Sequence, residues 1–155
     1  MSNSLKWLGV SSLVLFVAMQ FARPARIHRR ITESQTIAAV TRMPADVATV
    51  LQRSCGNCHS EDTHWRWYSN VAPVSWLQMA DVGMARDVMN FSRWSNYTPA
   101  QQADRLRNIR DEVRSGDMPP WYYKPLHPGG WLSKDEVTRI CTWAQTEQQR
   151  LAPTP

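Results

Sequence analysis

Residues 44 to 60 read PADVATVLQRSCGNCHS, and this stretch decides the fold. Pro44 opens a helix in which Val47, Val50 and Leu51 recur at helical spacing, and the pattern ends at Ser54. Directly behind it stands Cys55-Gly56-Asn57-Cys58-His59, two thiols three positions apart followed at once by an imidazole. A structural zinc site needs four ligands, usually as two spaced pairs. Only Cys141 remains as a thiol, with no second CxxC and no HxxxH. A thioredoxin-like redox CxxC follows a strand and opens a helix, whereas here a helix precedes it and SEDTH follows. Buried, inert cysteines are the plainest alternative. The reading that uses all three side chains is the attachment signature of a c-type haem. Each thiol then adds to a vinyl group, and the His59 imidazole lies under the iron as an axial ligand.

Outward from this motif, the chain has 155 residues, room for one domain. Eighteen Lys and Arg stand against 13 Asp and Glu, a net charge of +5. All of that surplus sits in residues 1–30, where Lys6, Arg23, Arg26, Arg29 and Arg30 meet no acid; the remainder is balanced. A nucleic-acid-binding face is therefore not expected, because phosphate neutralisation needs surplus cations on the folded part. Hydrophobic residues at 43% exclude a disordered chain, and three Cys are too few for a disulfide scaffold. Seven of the eight Trp lie at or after Trp65. Trp is large and rigid, and such a load suits a small domain wrapped around a flat apolar group as well as it suits a Trp-rich core.

Between Lys6 and Arg23 run residues 7–22, WLGVSSLVLFVAMQFA, without a charge. As a helix they span roughly 24 Å, between a signal-peptide core and a full membrane span. No small-x-small cleavage site is clear. The segment 1–22 is therefore expected to be an uncleaved signal anchor in a bacterial inner membrane, with a cleaved signal peptide as the alternative. The arginines at 23 to 30 outweigh Lys6 and argue for a cytoplasmic domain, while the cysteine chemistry argues for a periplasmic one; the periplasm is preferred.

Residues 23–42 show no sustained apolar stripe and read as a tether. Four helices are expected in the domain 43–149: Pro44 to Ser54; Pro73 to about Met89, with Leu77, Ala80, Met84 and Val88 on one side; one capped by Thr98 with Pro99 first, an Ala103, Leu106, Ile109, Val113 stripe and Gly116 past its end; and one opened by the capping box Ser133 to Glu136. Residues 150–155 read as a frayed tail. No strand-like alternation appears, so the class is all-α.

The stretches QFARP at 20–24, CGNCHS at 55–60, WRWYSNVAPVSW at 65–76, NFSRW at 90–94, MPPWYY at 118–123 and HPGGWLSKDE at 127–136 resemble, in this order, the small haem-binding-domain proteins of the c-type cytochromes. Arg66 stands where the pattern has Pro and Ala85 where it has Gly; neither is a haem ligand. The resemblance implies a cytochrome c-like bundle around one covalent haem, behind an N-terminal membrane helix. It also implies electron transfer with redox partner proteins of the periplasm or inner membrane.

Met118 resembles the Met-Pro ligand of cytochromes c. Its thioether is a weak ligand that must be held, and Gly116, Pro119 and Pro120 stiffen its surroundings. His127 in LHPGG is the rival distal ligand, and a hydrogen-bonded loop histidine is its plainer role. His64 is too near His59 to cross the haem. Pro73 is placed like the proline whose carbonyl accepts the Nδ1–H of the ligand histidine. Trp65, Trp67, Tyr68, Trp76, Tyr122, Tyr123 and Trp131 flank the ligand segments and are expected to form the haem pocket, with Arg66 and Arg86 near its propionates. Met79, Met84 and Met89 read as packing residues, and Cys141 as a small hydrophobe. The functional expectation is a monohaem electron carrier rather than an enzyme. The alternatives are a peroxidase-like or gas-sensing haem protein, or the haem subunit of a larger membrane redox complex.

Overall fold

The computed structural model describes residues 3–22, 24–26 and 29–151. Among them are seven α-helices, joined by short 3-10 turns, and no strand: α1 (Asn3–Met19), α2 (Ile37–Val40), α3 (Ala45–Ser54), α4 (Gly56–His59), α5 (Val74–Val88), α6 (Pro99–Ser115) and α7 (Lys134–Leu151). The all-α expectation stands, and α3, α5, α6 and α7 are the four helices expected from caps and periodicity.

The local reasons are visible in the caps. Thr98 accepts from the Gln101 amide while the Gln101 side chain accepts from the Thr98 amide, and Gly116 ends α6 at φ 84°, a left-handed position suited to glycine. At α7 the Ser133 hydroxyl accepts from the Glu136 amide at 3.2 Å, and the Glu136 carboxylate accepts from the Ser133 amide at 2.8 Å.

The core gathers Val47, Val50 and Leu51 of α3, Leu106, Ile109 and Val113 of α6 and Ile140, Trp143 and Ala144 of α7 around Phe91 and Trp94. On α6 the stripe begins at Gln102, whose amide donates to the carbonyls of Trp94 and Tyr97, rather than at the half-buried Ala103. Met89 packs in this core as expected.

Three expectations need correction. α1 has 17 residues, and among the described residues no helix is long and apolar enough to cross a membrane. It spans about 26 Å against roughly 30 Å of hydrocarbon, and Asn3, Ser4 and Lys6 make its start polar. The expected single inner-membrane anchor, the expected route to membrane lipid as a partner, is thereby not supported.

The end of the segment 1–22 and the segment 23–42 read as a tether are both fastened to the domain. The Gln20 amide donates to the Ala72 carbonyl at 3.2 Å and accepts from its N–H at 2.9 Å, and Trp76 Nε1 donates to the Ala22 carbonyl at 2.6 Å. Arg26 reaches Ser69 and Asn70 and lies over the Trp65 ring. Ile37, only 5% exposed, enters the core. Arg23 of the expected basic cluster and residues 152–155 of the expected tail lie outside the described residues.

The expected apolar side of α5 is not core. Leu77, Met84 and Val88 are exposed, and it is Ser75 and Val82 that are buried. Met84 and Val88 face a cavity instead.

Candidate functional site

Cys55 ends α3 and begins α4. Its amide donates to the Leu51 carbonyl, and its own carbonyl receives the amides of Cys58 at 3.1 Å and His59 at 3.0 Å. The single turn of α4 therefore brings positions i, i+3 and i+4, which are Cys55, Cys58 and His59, to one face. All three line a cavity of about 230 Å³. Its other walls are Met84, Ala85 and Val88 of α5 and the loop carrying Met118, Pro119, Pro120, Tyr122 and Tyr123.

The His59 ring is oriented from beyond the end of α5. Its Nδ1 lies 2.9 Å from the Met89 carbonyl, and Phe91 stacks on the imidazole with centroids 5.4 Å apart. Met89 is the extended residue that closes α5 (φ −159°, ψ 115°), so its carbonyl is turned out of the helical ladder. The carbonyl of Pro73, expected in this role, instead receives the amides of Trp76 and Leu77 at the start of α5.

Burial sets the protonation states. It pushes the Cys55 thiol up to about 12, with Cys58 adding to the effect, and the Cys58 thiol up to about 11, with Asp81 adding. A redox CxxC works through a depressed thiol, and this pair is shifted the other way. Burial also holds the His59 imidazole below its ordinary value. It raises the Asp81 carboxyl at the cavity wall, opposed by a hydrogen bond from Tyr122. Among the described residues no group of three or more His, Cys, Asp or Glu is placed to hold a metal ion.

The structure separates the two candidates for the distal ligand. Met118 lines the cavity, and its amide donates to the Glu112 carbonyl near the end of α6. His127 does not line it. It is 7% exposed, with Nδ1 2.9 Å from the Tyr123 carbonyl and Nε2 2.6 Å from the Tyr68 hydroxyl. Both ring nitrogens are thus in use. His64 is exposed and outside the cavity.

Of the aromatic residues expected around a haem, Tyr122 and Tyr123 line the cavity. Tyr68 does not line it and is engaged with His127 instead, and Trp67 is 77% exposed against the edge of Tyr68. Trp65 lies in a separate polar cavity on the other side of α5, with Met79 and Arg86, and Trp76 is occupied with the end of the N-terminal segment. Trp131 is exposed beside the Lys124 ammonium. Arg86, expected at the propionates, is turned inward. It donates to the Ser60 carbonyl and the Thr63 hydroxyl and pairs with the buried Glu61 carboxylate at 3.1 Å. It braces the chain just after His59.

Sequence reasoning missed the Met89 carbonyl, Asp81 and the Met84 and Val88 wall. The last had a signal: an apolar stripe on α5 with no obligation to face protein. Cys141 sits between α6 and α7, its thiol 3.6 Å from the Arg110 carbonyl, away from the cavity.

The cavity suits a flat apolar group with polar attachment points. Two thiols and an imidazole share one wall, a thioether stands on the loop, and Met84 and Val88, 61% and 58% exposed, offer apolar surface that protein atoms leave uncovered. The family model described as haem-binding domain matches residues 14–146. No curated protein and no solved structure matches the chain.

Proposed function

The chain belongs to the haem-binding domain family, and from that premise we propose that it is a monohaem electron carrier of the c type. Its haem is held by thioether bonds to Cys55 and Cys58 and ligated by His59 and Met118. One observation carries this reading: the cavity collects these four side chains, while both nitrogens of the rival His127 are engaged elsewhere.

When bound, the haem supplies the one-electron couple of its iron. The chain's own residues supply the rest. Cys55 and Cys58 would hold the group, the Met89 carbonyl keeps the His59 Nδ1–H engaged so that Nε2 keeps its lone pair for the iron, and Met118 would offer the second side-chain ligand and so exclude substrates. A thioether in that place raises the reduction potential. The protein hands single electrons to and from redox partner proteins rather than transforming a substrate.

The test is extraction of the purified protein with acid-acetone, followed by haem staining after denaturing electrophoresis. Haem is expected to stay on the chain, and Cys55→Ala with Cys58→Ala to remove the stain. Free extraction from the unmutated protein would refute covalent attachment. Rapid cyanide binding to the oxidised iron would favour an open site and an enzyme or gas-binding protein.

A further inference from the structure

Met118 has to be held in place, because a thioether bond to iron is weak and does not by itself offset the entropy of ordering a loop. One end of its loop is tied to α6 through the Glu112 carbonyl. The other end is tied at Tyr123 in three ways. The Tyr123 amide donates to the Pro120 carbonyl at 3.1 Å, which closes the turn behind Met118. Its ring lies flat on the His127 imidazole, centroids 3.6 Å apart and planes within 4°, while His127 Nδ1 donates to the Tyr123 carbonyl. Its hydroxyl accepts at 2.9 Å from the side-chain amide nitrogen of Asn57, one of the two residues between the haem-attachment cysteines.

Asn57 is itself immobilised. Its Oδ1 receives the His64 amide at 3.1 Å, which turns Nδ2 toward Tyr123, and its carbonyl receives the Thr63 hydroxyl at 2.7 Å. The packing is close at one edge of the ring. A Cβ at Gly130 would come within 3.0 Å of Tyr123 Cε1, and one at Gly129 within 2.8 Å of the Arg53 side chain, so the two glycines serve close approach rather than flexibility.

We propose that Tyr123 is a positioning residue for the distal ligand: its hydroxyl bolts the Met118 loop to the attachment turn through Asn57, with His127 as the plate behind its ring. The inference rests on Met118 being that ligand. It gives His127 a purpose other than coordination. It also makes the second variable position of the CxxCH motif, occupied by Asn57, a determinant of whether the iron stays closed to outside molecules.

The experiment uses the full-length holoprotein and titrates oxidised samples with imidazole while following the far-red sulfur-to-iron absorption band. Tyr123→Phe keeps the ring and its stacking and loses only the hydroxyl. It is expected to let imidazole bind roughly three- to tenfold more tightly than in wild type, the effect of one net hydrogen bond. Asn57→Ala, which also frees the His64 amide, is expected to loosen closure at least as much, and the double variant to show little more than Asn57→Ala alone, because the partner of the hydroxyl is already gone. Asn57→Asp, whose carboxylate accepts from the Tyr123 hydroxyl, is expected to restore tight closure. A wild-type band that survives both single variants with unchanged imidazole affinity overturns the proposal alone. A wild-type spectrum without the band overturns the Met118 reading and the proposal with it.

Discussion

The Nδ1 atom of His59 lies 2.9 Å from the carbonyl oxygen of Met89. The contact joins the attachment turn to the residue that closes α5, and α5 is also the apolar wall of the cavity through Met84 and Val88. One helix therefore shapes the pocket and orients the ligand facing it. The nitrogen engaged with a carbonyl must be the protonated one, so the tautomer is decided by backbone, independent of any side-chain partner.

Met118→Ala is expected to abolish the far-red band, lower the reduction potential and admit cyanide or imidazole within seconds, while haem staining persists. Optical titration and potentiometry check this. A spectrum unchanged by the substitution would transfer the distal position to another residue.

Three cysteines are present, and only two line the cavity. Denatured holoprotein is expected to release one titratable thiol, and Cys141→Ser none. Cys141→Ser should keep full haem staining, with a stability cost of about 1 kcal/mol from a packing thiol made polar. Thiol counting under denaturant is the measurement.

Glu61 is buried against Arg86 at 3.1 Å and Arg93 at 3.4 Å, and it accepts from Asn90 at 2.9 Å. Glu61→Gln removes the carboxylate that faces the largely buried Arg86 guanidinium. A loss of about 3 kcal/mol is expected, read as a lower urea midpoint with an unchanged m-value. Leu106→Ala in the core is expected to cost about 2 to 5 kcal/mol by leaving a cavity, without altering the visible spectrum.

Burial, with Arg66 adding to it, holds the His127 imidazole below its ordinary value of 6.5. As pH falls through about 6.5 the unfolded chain takes up this proton and the folded chain does not. Stability contributed by His127 is thus fully present above that pH, declines below it, and levels off beneath the folded value. Urea midpoints at pH 5 and pH 7.5 are expected to differ less in His127→Phe than in wild type. An equal difference would mean that His127 does not carry the dependence.

Much of the fold was legible because its signals are local. Thr98 with Gln101, Ser133 with Glu136 and Gly116 announce helix ends within four residues of themselves, and the CxxCH spacing announces its own face on one turn. Tyr122 and Tyr123 stand where expected, but the placement of the tryptophans was not legible. Trp65, Trp67 and Trp76 are near His59 in sequence, yet tertiary contacts with Arg26, Tyr68 and Ala22 turn them elsewhere. The Met89 carbonyl carries no side-chain signature at all. Four uncharged turns at the N-terminus looked like a span, since charge is easily read and length is marginal.

The wall formed by the Met118 loop also has a meaning in time. Cys55 and Cys58 lie inside the cavity that this loop helps to enclose, and Asn57, between them, is bonded to its far end. On the proposed c-type reading, a haem would reach those sulfurs across the open Met84 and Val88 side, and the contact between Asn57 and Tyr123 would make the order of attachment and loop closure readable from haem staining of Tyr123→Phe.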